Sequence, residues 1–265
     1  MNLVLGNGTQ VRHADAKLLR FMQSEFELYD GIPVLQDSTL SLFDILLSVM
    51  MNSRLDTADK VRSIWKNKKP VEEALSRIPT DVSLEDDNVP WDDLKALFDA
   101  FCAILWAGPA VSTKILYKKR PNLIPIYDSV ISACINDCND EPSLPQGSSE
   151  GAHMIRGIKC FRKLLVGSIG GIQHLRNLPE MRRFPVSPTR ILEVLLWIEN
   201  EDNGYYQICP KCHTGAVMPI RYGQPTQRLQ KLAAARKVKL CSDSTLPGRP
   251  RWHCGNCLTE WGKVR

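Results

Sequence analysis

Two pairs of cysteines near the end of the chain have the spacing of a metal site. Cys209 and Cys212 form one Cys-x-x-Cys pair, and Cys254 and Cys257 form a second. Each pair can hold one edge of a metal ion through a tight turn, and two pairs complete the tetrahedral set of four thiolates that zinc prefers. The sequence therefore predicts a structural Zn²⁺ site. The alternatives are four unrelated core cysteines or, because His213 follows Cys212, a covalent haem attachment site.

The second informative pattern is a predicted helical hairpin, which is followed by a single acid, Asp128. Gly108 and Pro109 end one apolar helical pattern and open the next, so two helices are expected to meet in a short hairpin turn. Free backbone N–H groups at the start of the second helix suit a phosphate of a nucleic-acid backbone. A connector bracketed by Pro121 and Pro125 then brings Asp128 to the start of another helix, whose dipole stabilises a carboxylate. Asp128 is either a functional acid or only a helix cap.

The elements that must position these residues are mainly α-helices. Apolar residues recur at helical spacing through the first two thirds of the chain. The predicted helices cover about residues 18–26, 39–50, 56–64, 94–106, 111–116, 129–138, 154–166 and 188–198, with a polar loop at 139–151. The composition changes after the polar stretch 199–204. We therefore expect a helical domain at residues 1–203 and a small, basic zinc-ribbon domain at residues 204–265.

The charge distribution favours a polyanionic partner. The chain has a net charge of +5, but residues 204–265 contain 11 Lys and Arg against two acidic residues, so the rest of the chain is mildly acidic. Such a concentration of cations is typical of contact with phosphates, and the alternative is an ordinary solvated surface.

Several classes of protein are excluded or disfavoured. No apolar run reaches the roughly 18 residues that span a bilayer, and no secretory signal is found, so we expect no membrane partner and a cytoplasmic location. The sequence contains no phosphate-binding P-loop, no dinucleotide glycine motif and no Ser-His-Asp pattern, so we expect no nucleotide cofactor.

The hairpin and the acid together resemble the helix-hairpin-helix DNA glycosylase superfamily, over about residues 38–203. The segment from Phe43 to Arg54, with Lys60 and Val61, is similar to that family's early helix pair, whose turn probes the gap left by a flipped base. The resemblance implies a helical body that binds double-stranded DNA, with Asp128 as the catalytic carboxylate. The expected DNA contacts are Gly108, Ala110, Ser112, Thr113, Lys114 and Lys118 in the hairpin and its helix, and Asn52, Ser53 and Arg54 at the gap.

The chemistry that this resemblance implies is excision of a base. The enzyme extrudes the nucleotide into a pocket, for which Trp106 and Tyr127 are the candidate aromatic walls, and Asp128 stabilises charge on the sugar and orients water. Members with lyase activity carry a lysine four positions after the first hairpin glycine, where this chain has Ser112. Lys114 lies two positions further on, where a helix is expected to turn it away. We therefore expect a monofunctional glycosylase. A further departure is Ala110, which stands where the family's second hairpin glycine is usual.

The last part of the chain resembles an uncharacterised bacterial zinc-ribbon module, over about residues 208–261. The resemblance rests on the segment from Tyr222 to Pro225, the basic helix around Arg228 to Lys239, and Trp252 and Trp261 beside the second cysteine pair. It implies a folded, metal-dependent unit and no activity. Its cations face either DNA phosphates or solvent.

Two other functions stay open. The first is a non-enzymatic DNA-binding protein that keeps the hairpin without catalysis, and the second is a zinc-ribbon adaptor whose body binds protein. If the chain is a glycosylase, its substrate is either a damaged base or a modified base of phage DNA, as in antiphage defence. Protein partners are not predicted.

Overall fold

Apolar side chains at helical spacing give the first part of the chain a helical fold. The structure, a computed structural model, describes residues 1–23, 26–135, 141–200, 207–242 and 248–262. Its helices in this part are α1 Ala14–Met22, α2 Phe26–Gly31, α3 Leu42–Leu47, α4 Ala58–Lys66, α5 Lys69–Leu75, α6 Trp91–Cys102, α7 Pro109–Lys119, α8 Ser129–Ile135, α9 Glu150–Arg176 and α10 Pro188–Asn200. Two short strands, β1 Leu3–Val4 and β2 Gln10–Val11, pair antiparallel.

Helix α7 lies at the centre of this helical unit. Its residues from Val111 to Tyr117 are all buried, so it has no solvated face along that stretch. Helix α6 packs against α5, α7 and α9. Because α7 follows α6 directly, the turn between them is held by two packed helices.

The second part of the chain is a small four-stranded sheet with one helix. Its elements are β3 Val217–Tyr222, α11 Gln227–Ala234, β4 Lys239–Cys241, β5 Trp252–Cys254 and β6 Glu260–Trp261. The strand order is β4-β3-β5-β6, with β3 and β4 parallel and the other pairs antiparallel. The chain divides into the units Met1–Trp197 and Ile198–Arg265.

The helix boundaries differ from the sequence expectations at identifiable places. Ser41 caps α3 through a capping box with Asp44, and the helix changes to a 3₁₀ turn at Ser48–Met51, so the predicted helix at 39–50 is shorter. Helix α5 was not predicted. The predicted helix end at residue 138 and the predicted domain boundary at 203 and 204 lie outside the described residues.

Helix α9 is much longer than predicted, with 27 residues. Three of its glycines lie where another element approaches closely. A Cβ atom would lie 2.4 Å from a carboxylate oxygen of Asp99 at Gly151, 2.3 Å from the Tyr127 hydroxyl at Gly157, and 2.2 Å from Leu3 at Gly171. These glycines therefore permit packing and do not end the helix.

The described residues confirm a mainly α-helical chain with a small sheet near its end. No helix in the described ranges is both long enough and apolar enough to span a membrane.

Candidate functional site

The turn between α6 and α7 is open on one side and carries an exposed aromatic ring. Gly108 caps α7 in an extended conformation, and Pro109 follows at the first helical position. A Cβ atom at Gly108 would meet nothing within 4 Å. Trp106 adopts a left-handed backbone conformation with φ 74° and is 55% exposed, and the Lys60 ammonium lies 5.4 Å from its ring centroid. Ala110 is half-buried in the first turn of α7. The turn therefore offers backbone and an indole to solvent, while the Lys60 ammonium forms an ion pair with Asp56.

Thr113 ties the connector before Asp128 to α7. The Thr113 side chain is fully buried, and its hydroxyl donates to the Pro109 carbonyl at 2.9 Å and accepts from the Tyr127 N–H at 3.0 Å. The Ser112 hydroxyl also donates to the Pro109 carbonyl, at 2.9 Å. The side chains of Ser112 and Thr113 are buried, so any contact of these two residues with DNA would be through the backbone, and that contact stays a prediction. Thr113 positions the residue next to Asp128.

Asp128 caps α8 with one of its two carboxylate oxygens. Oδ1 accepts from the backbone N–H of Val130 at 3.0 Å and of Ile131 at 3.1 Å. Within the described ranges, Oδ2 accepts no hydrogen bond and forms no ion pair. The side chain is half-buried. Asp128 therefore acts as a cap and still has an oxygen for another partner.

Lys114 is buried, and the charge of Asp128 acts on its ammonium. Burial lowers the pKa of the Lys114 ammonium, the negative charges of Asp128 and Glu193 oppose that shift, and the charges of Arg190 and Arg54 add to it. In the part of the chain that the structure describes, this ammonium forms no hydrogen bond and no ion pair.

Helix α7 turns Lys114 away from the position of Ser112, as expected, but the charge of Asp128 still acts on the Lys114 ammonium. Ser112 faces Cys102 of α6. Burial raises the pKa of the Cys102 thiol, and the Ser112 side chain opposes that rise. Because residues two positions apart on a helix point in different directions, Lys114 lies on another side of α7 from Ser112. That side is within the range of the Asp128 charge.

A buried ion network lies next to Lys114 and was not predicted. Arg190 of α10 donates to both carboxylate oxygens of Asp30, at 2.8–3.2 Å, and pairs with Glu193 one turn further along α10. The rings of Tyr29 and Tyr117 lie 5.8 and 5.7 Å from the guanidinium. Burial raises the pKa of Glu193 to about 7, and the Arg190 charge opposes that rise. The signal in the sequence is an Arg and a Glu three positions apart within an otherwise apolar helix.

The turn after the first helix pair presents two of its three predicted residues. Asn52 and Arg54 are exposed and have left-handed backbone conformations, with φ of 55° and 56°. Ser53 between them is buried, and its hydroxyl is 3.1 Å from the Ser48 hydroxyl. The predicted role of Ser53 at the base gap is therefore wrong, while Asn52 and Arg54 project from an anchored turn. The Arg54 charge acts on Lys114, so this turn lies in the same region as Lys114.

The two predicted aromatic walls are not brought together by any described contact. Tyr127 lies against Gly157 of α9, and its hydroxyl donates to the Ser132 hydroxyl at 3.3 Å, whereas Trp106 contacts Lys60 of α4. The structure does contain an apolar cavity of about 510 Å³ between α3 and α4. None of the predicted DNA or base contacts lines that cavity.

Lys118 has intramolecular partners away from the hairpin turn. Its ammonium donates to the backbone carbonyls of Tyr29 at 2.9 Å and Asp30 at 3.3 Å, at the end of α2. This contact lies near the C-terminal end of α7, away from the hairpin turn. The lysine therefore caps α2, and its predicted contact with DNA stays a prediction.

The four paired cysteines form one cluster. Their sulfur atoms all lie within 4.8 Å of one another, and the Cys209–Cys257 and Cys212–Cys254 separations are both 3.5 Å. Four thiolates at the usual zinc–sulfur distance of ~2.3 Å would be about 3.8 Å apart at the corners of a tetrahedron. The geometry is therefore compatible with one metal ion.

The two halves of the cluster repeat the same turn. In each, the fourth residue after the first cysteine has a left-handed backbone and donates its N–H to the carbonyl of that cysteine: His213 to Cys209, and Leu258 to Cys254. Cys209 and Cys254 donate their own N–H to the carbonyls of Thr214 and Thr259. The shared sequence is therefore Cys-x-x-Cys-x-Thr, a longer repeat than the cysteine spacing alone.

Both threonines also contact the second cysteine of their pair. The Thr214 hydroxyl lies 3.3 Å from Cys212 Sγ, and the Thr259 hydroxyl lies 3.2 Å from Cys257 Sγ. The hydrogen bond with Thr214 lowers the pKa of Cys212 to about 5, and the one with Thr259 lowers the pKa of Cys257. Burial raises the pKa of Cys209 to about 11. The thiolate is the form that binds metal, so both threonines favour ligation.

Comparison with known proteins identifies the family of the chain. A family model matches residues 11–200, more than two thirds of the chain. The chain belongs to the family of unknown function DUF6308. No curated protein and no solved structure matches the chain.

The DUF6308 region holds every candidate residue of the helical unit. Asp128, Lys114, Arg54 and the hairpin turn lie inside residues 11–200, whereas the four clustered cysteines lie outside this range.

Proposed function

We propose that this protein is a monofunctional DNA glycosylase that flips a base out of double-stranded DNA and hydrolyses its N-glycosidic bond. The observation that carries the proposal is the position of Asp128. One oxygen is fixed by two backbone N–H groups of α8, the other has no partner among the described residues, and the connector is tied to the hairpin helix through Thr113. A carboxylate held in this way suits a task that needs an ionised and oriented oxygen.

Asp128 would act at the sugar. When the C1′–N bond breaks, the electron pair leaves with the base, which solvent protonates, and positive charge develops on the sugar. The free oxygen of Asp128 stabilises that charge and orients a water molecule, which adds to C1′ and gives its proton to the carboxylate. The exposed turn at Asn52 and Arg54 would fill the vacated position in the duplex.

The experiment is an excision assay with matched variants. Duplexes that carry damaged bases, and others that carry hypermodified bases of the phage type, are incubated with the protein, and released base and alkali-labile sites are measured. Asp128→Asn keeps an equally good helix cap, so the fold and melting temperature should be retained while excision falls about 10²- to 10⁴-fold. Equal excision by Asp128→Asn would refute the assignment.

A separate measurement tests whether the protein also has lyase activity. Hydrolysis by water leaves no covalent link to DNA, so borohydride reduction during turnover should trap no adduct. An adduct that disappears in Lys114→Ala would overturn the monofunctional part of the proposal, because Lys114 is a buried amine within range of the Asp128 charge.

We also propose that the cysteine cluster holds one structural Zn²⁺. Four sulfur donors in two matching turns favour zinc over the hard cations, which prefer oxygen ligands. When bound, the ion would link the two turns and supply no step of the excision reaction.

A second candidate is a DNA-binding protein without catalysis. It is favoured by one observation: Trp106 and Tyr127 contact different helices and share no described contact, so a two-walled base pocket is not formed by this pair. Salt-dependent duplex binding with no base release across the substrate panel would favour this function.

A further inference from the structure

Four exposed cations lie in helix α11 and directly after its end. Arg228, Lys231, Arg236 and Lys237 are all exposed, and none of them forms an ion pair within the described ranges. No Asp or Glu occurs from Gly204 to Ser242. We name these four residues the α11 cations. Their charge is therefore not neutralised by nearby acids in the sequence.

The α11 cations are held on a fixed support. Leu229, Leu232 and Ala233 form the half-buried side of the helix, and Val238 beyond its end is buried. The Thr226 hydroxyl caps the helix by accepting from the Leu229 N–H at 3.3 Å. The helix also forms the connection between the parallel strands β3 and β4. Arg228 and Lys231 lie within the helix, whose eight residues span about 12 Å at ~1.5 Å each, and Arg236 and Lys237 follow its end.

Arg236 occupies a position that usually favours glycine. Its φ is 54°, its N–H donates to the Ala233 carbonyl at 2.9 Å, and the Lys237 N–H donates to the Leu232 carbonyl at 2.8 Å. This is the Schellman arrangement at a helix end, where glycine has no Cβ penalty. An arginine here keeps a cation at the cost of some backbone strain.

Other cations of the same unit have internal contacts. The Lys239 ammonium is 2.5 Å from a carboxylate oxygen of Glu260, and the Arg249 guanidinium lies 4.8 Å from the Tyr222 ring centroid. The α11 cations therefore differ from the cations at the sheet, which help to hold the unit together.

We propose that the α11 cations bind the sugar-phosphate backbone of double-stranded DNA, as a contact separate from the hairpin and Asp128. Four unpaired cations complement a polyanion, and phosphate contacts position a protein without reading sequence. The exposed side of α11 has no large apolar residue, whereas a protein interface is built around buried aromatic or aliphatic anchors. The proposal goes beyond base excision and does not depend on it.

The first test compares two variants of the full chain with equal loss of charge. One carries Arg228→Gln, Lys231→Gln, Arg236→Gln and Lys237→Gln, and the control carries Arg12→Gln, Arg176→Gln, Arg182→Gln and Arg183→Gln at exposed positions of the first unit. Duplex affinity is measured by fluorescence anisotropy between 50 and 200 mM salt. Four phosphate contacts contribute about −3.6 to the slope of log affinity against log salt, or roughly 10²-fold over this range. We expect the α11 variant to lose most of this slope and the control to keep it.

The second test separates binding from helix capping. Arg236→Gly removes one cation and the backbone strain together, so its melting temperature should stay equal or rise by a few degrees while duplex affinity falls severalfold. If Arg236 served only the helix end, affinity would not change.

The outcomes distinguish this proposal from the glycosylase proposal. Base release by saturating enzyme in a single turnover should be unchanged in the α11 variant, and duplex affinity should be unchanged in Asp128→Asn. The α11 proposal is overturned if the α11 variant and its control lose equal affinity, or if a polyglutamate peptide or single-stranded RNA competes as well as the duplex.

Discussion

Loss of one clustered cysteine should unfold the small unit and leave the helical unit intact. In the sheet and helix of the second unit, counted over residues 207–242 and 248–262, the buried apolar side chains besides the cysteines are Ile220, Val238 and Trp252. At ~1.5–3 kcal/mol each, their burial contributes roughly 5–9 kcal/mol. Zinc binding to comparable four-ligand sites contributes about 10–16 kcal/mol, so the metal is expected to be the larger contribution. Cys254→Ser should therefore abolish metal binding and folding of this unit together.

The assay follows metal content and local protection in the same protein. Elemental analysis should find one zinc per chain in protein purified without chelator, and less than about a tenth of that in Cys254→Ser. Amide hydrogen exchange should show loss of protection in β3 to β6 but not in α6 and α7.

Cys241→Ser is the matched control for this experiment. Cys241 lies in β4, pairs with Tyr222 of β3 and is not part of the cluster, so its substitution should leave metal and protection unchanged. Protection of β3 to β6 that survives both Cys254→Ser and a chelator would refute the reasoning. Wild-type protein without zinc would refute the choice of metal.

Two further substitutions test the interior of the helical unit. Thr113→Val leaves the Tyr127 N–H without its acceptor, so the free energy of unfolding measured in urea should fall by about 1–3 kcal/mol. Base release should also slow, because Asp128 loses its support. Unchanged stability would contradict the role of this hydrogen bond. Glu193 has a pKa of about 7 in the folded chain, whereas its ordinary pKa is 4.5. Its favourable contribution to the free energy of unfolding is therefore complete below pH 4.5 and is lost as the pH rises through 7. From pH 5 to 8 the wild type should lose up to ~3 kcal/mol relative to Glu193→Gln, and parallel curves would disprove the shift.

The sequence predicted best those features that depend on local spacing. The four cysteines of the cluster were identified because two residues between thiols suffice to form each turn, whatever the rest of the chain does. The same locality explains the helix start at Pro109 and the cap at Asp128. The two threonines that complete the turns were overlooked, although Thr214 and Thr259 stand at matching positions and could have been found by aligning the two halves.

Features that depend on packing were predicted less well. The rotation of α7 about its axis decides whether Ser112 or Lys114 is within range of the Asp128 charge, and that rotation is fixed by contacts with α6 and other distant elements. Similarly, the full length of α9 depends on elements that approach its glycines, such as Tyr127 at Gly157. Neither can be read from hydrophobic periodicity, which records burial but not the identity of the neighbour.

Charge counting was misleading in the helical unit for a related reason. Lys118, Lys119 and Arg120 form a basic run after the hairpin, but their cationic groups donate to backbone carbonyls and carboxylates, including Asp37 and the buried Asp44 for Lys119. Such cations hold the fold together and contribute little long-range attraction to DNA. The α11 cations have no such internal partners among the described residues, so the salt dependence of duplex binding should depend mainly on the second unit and base release on the first.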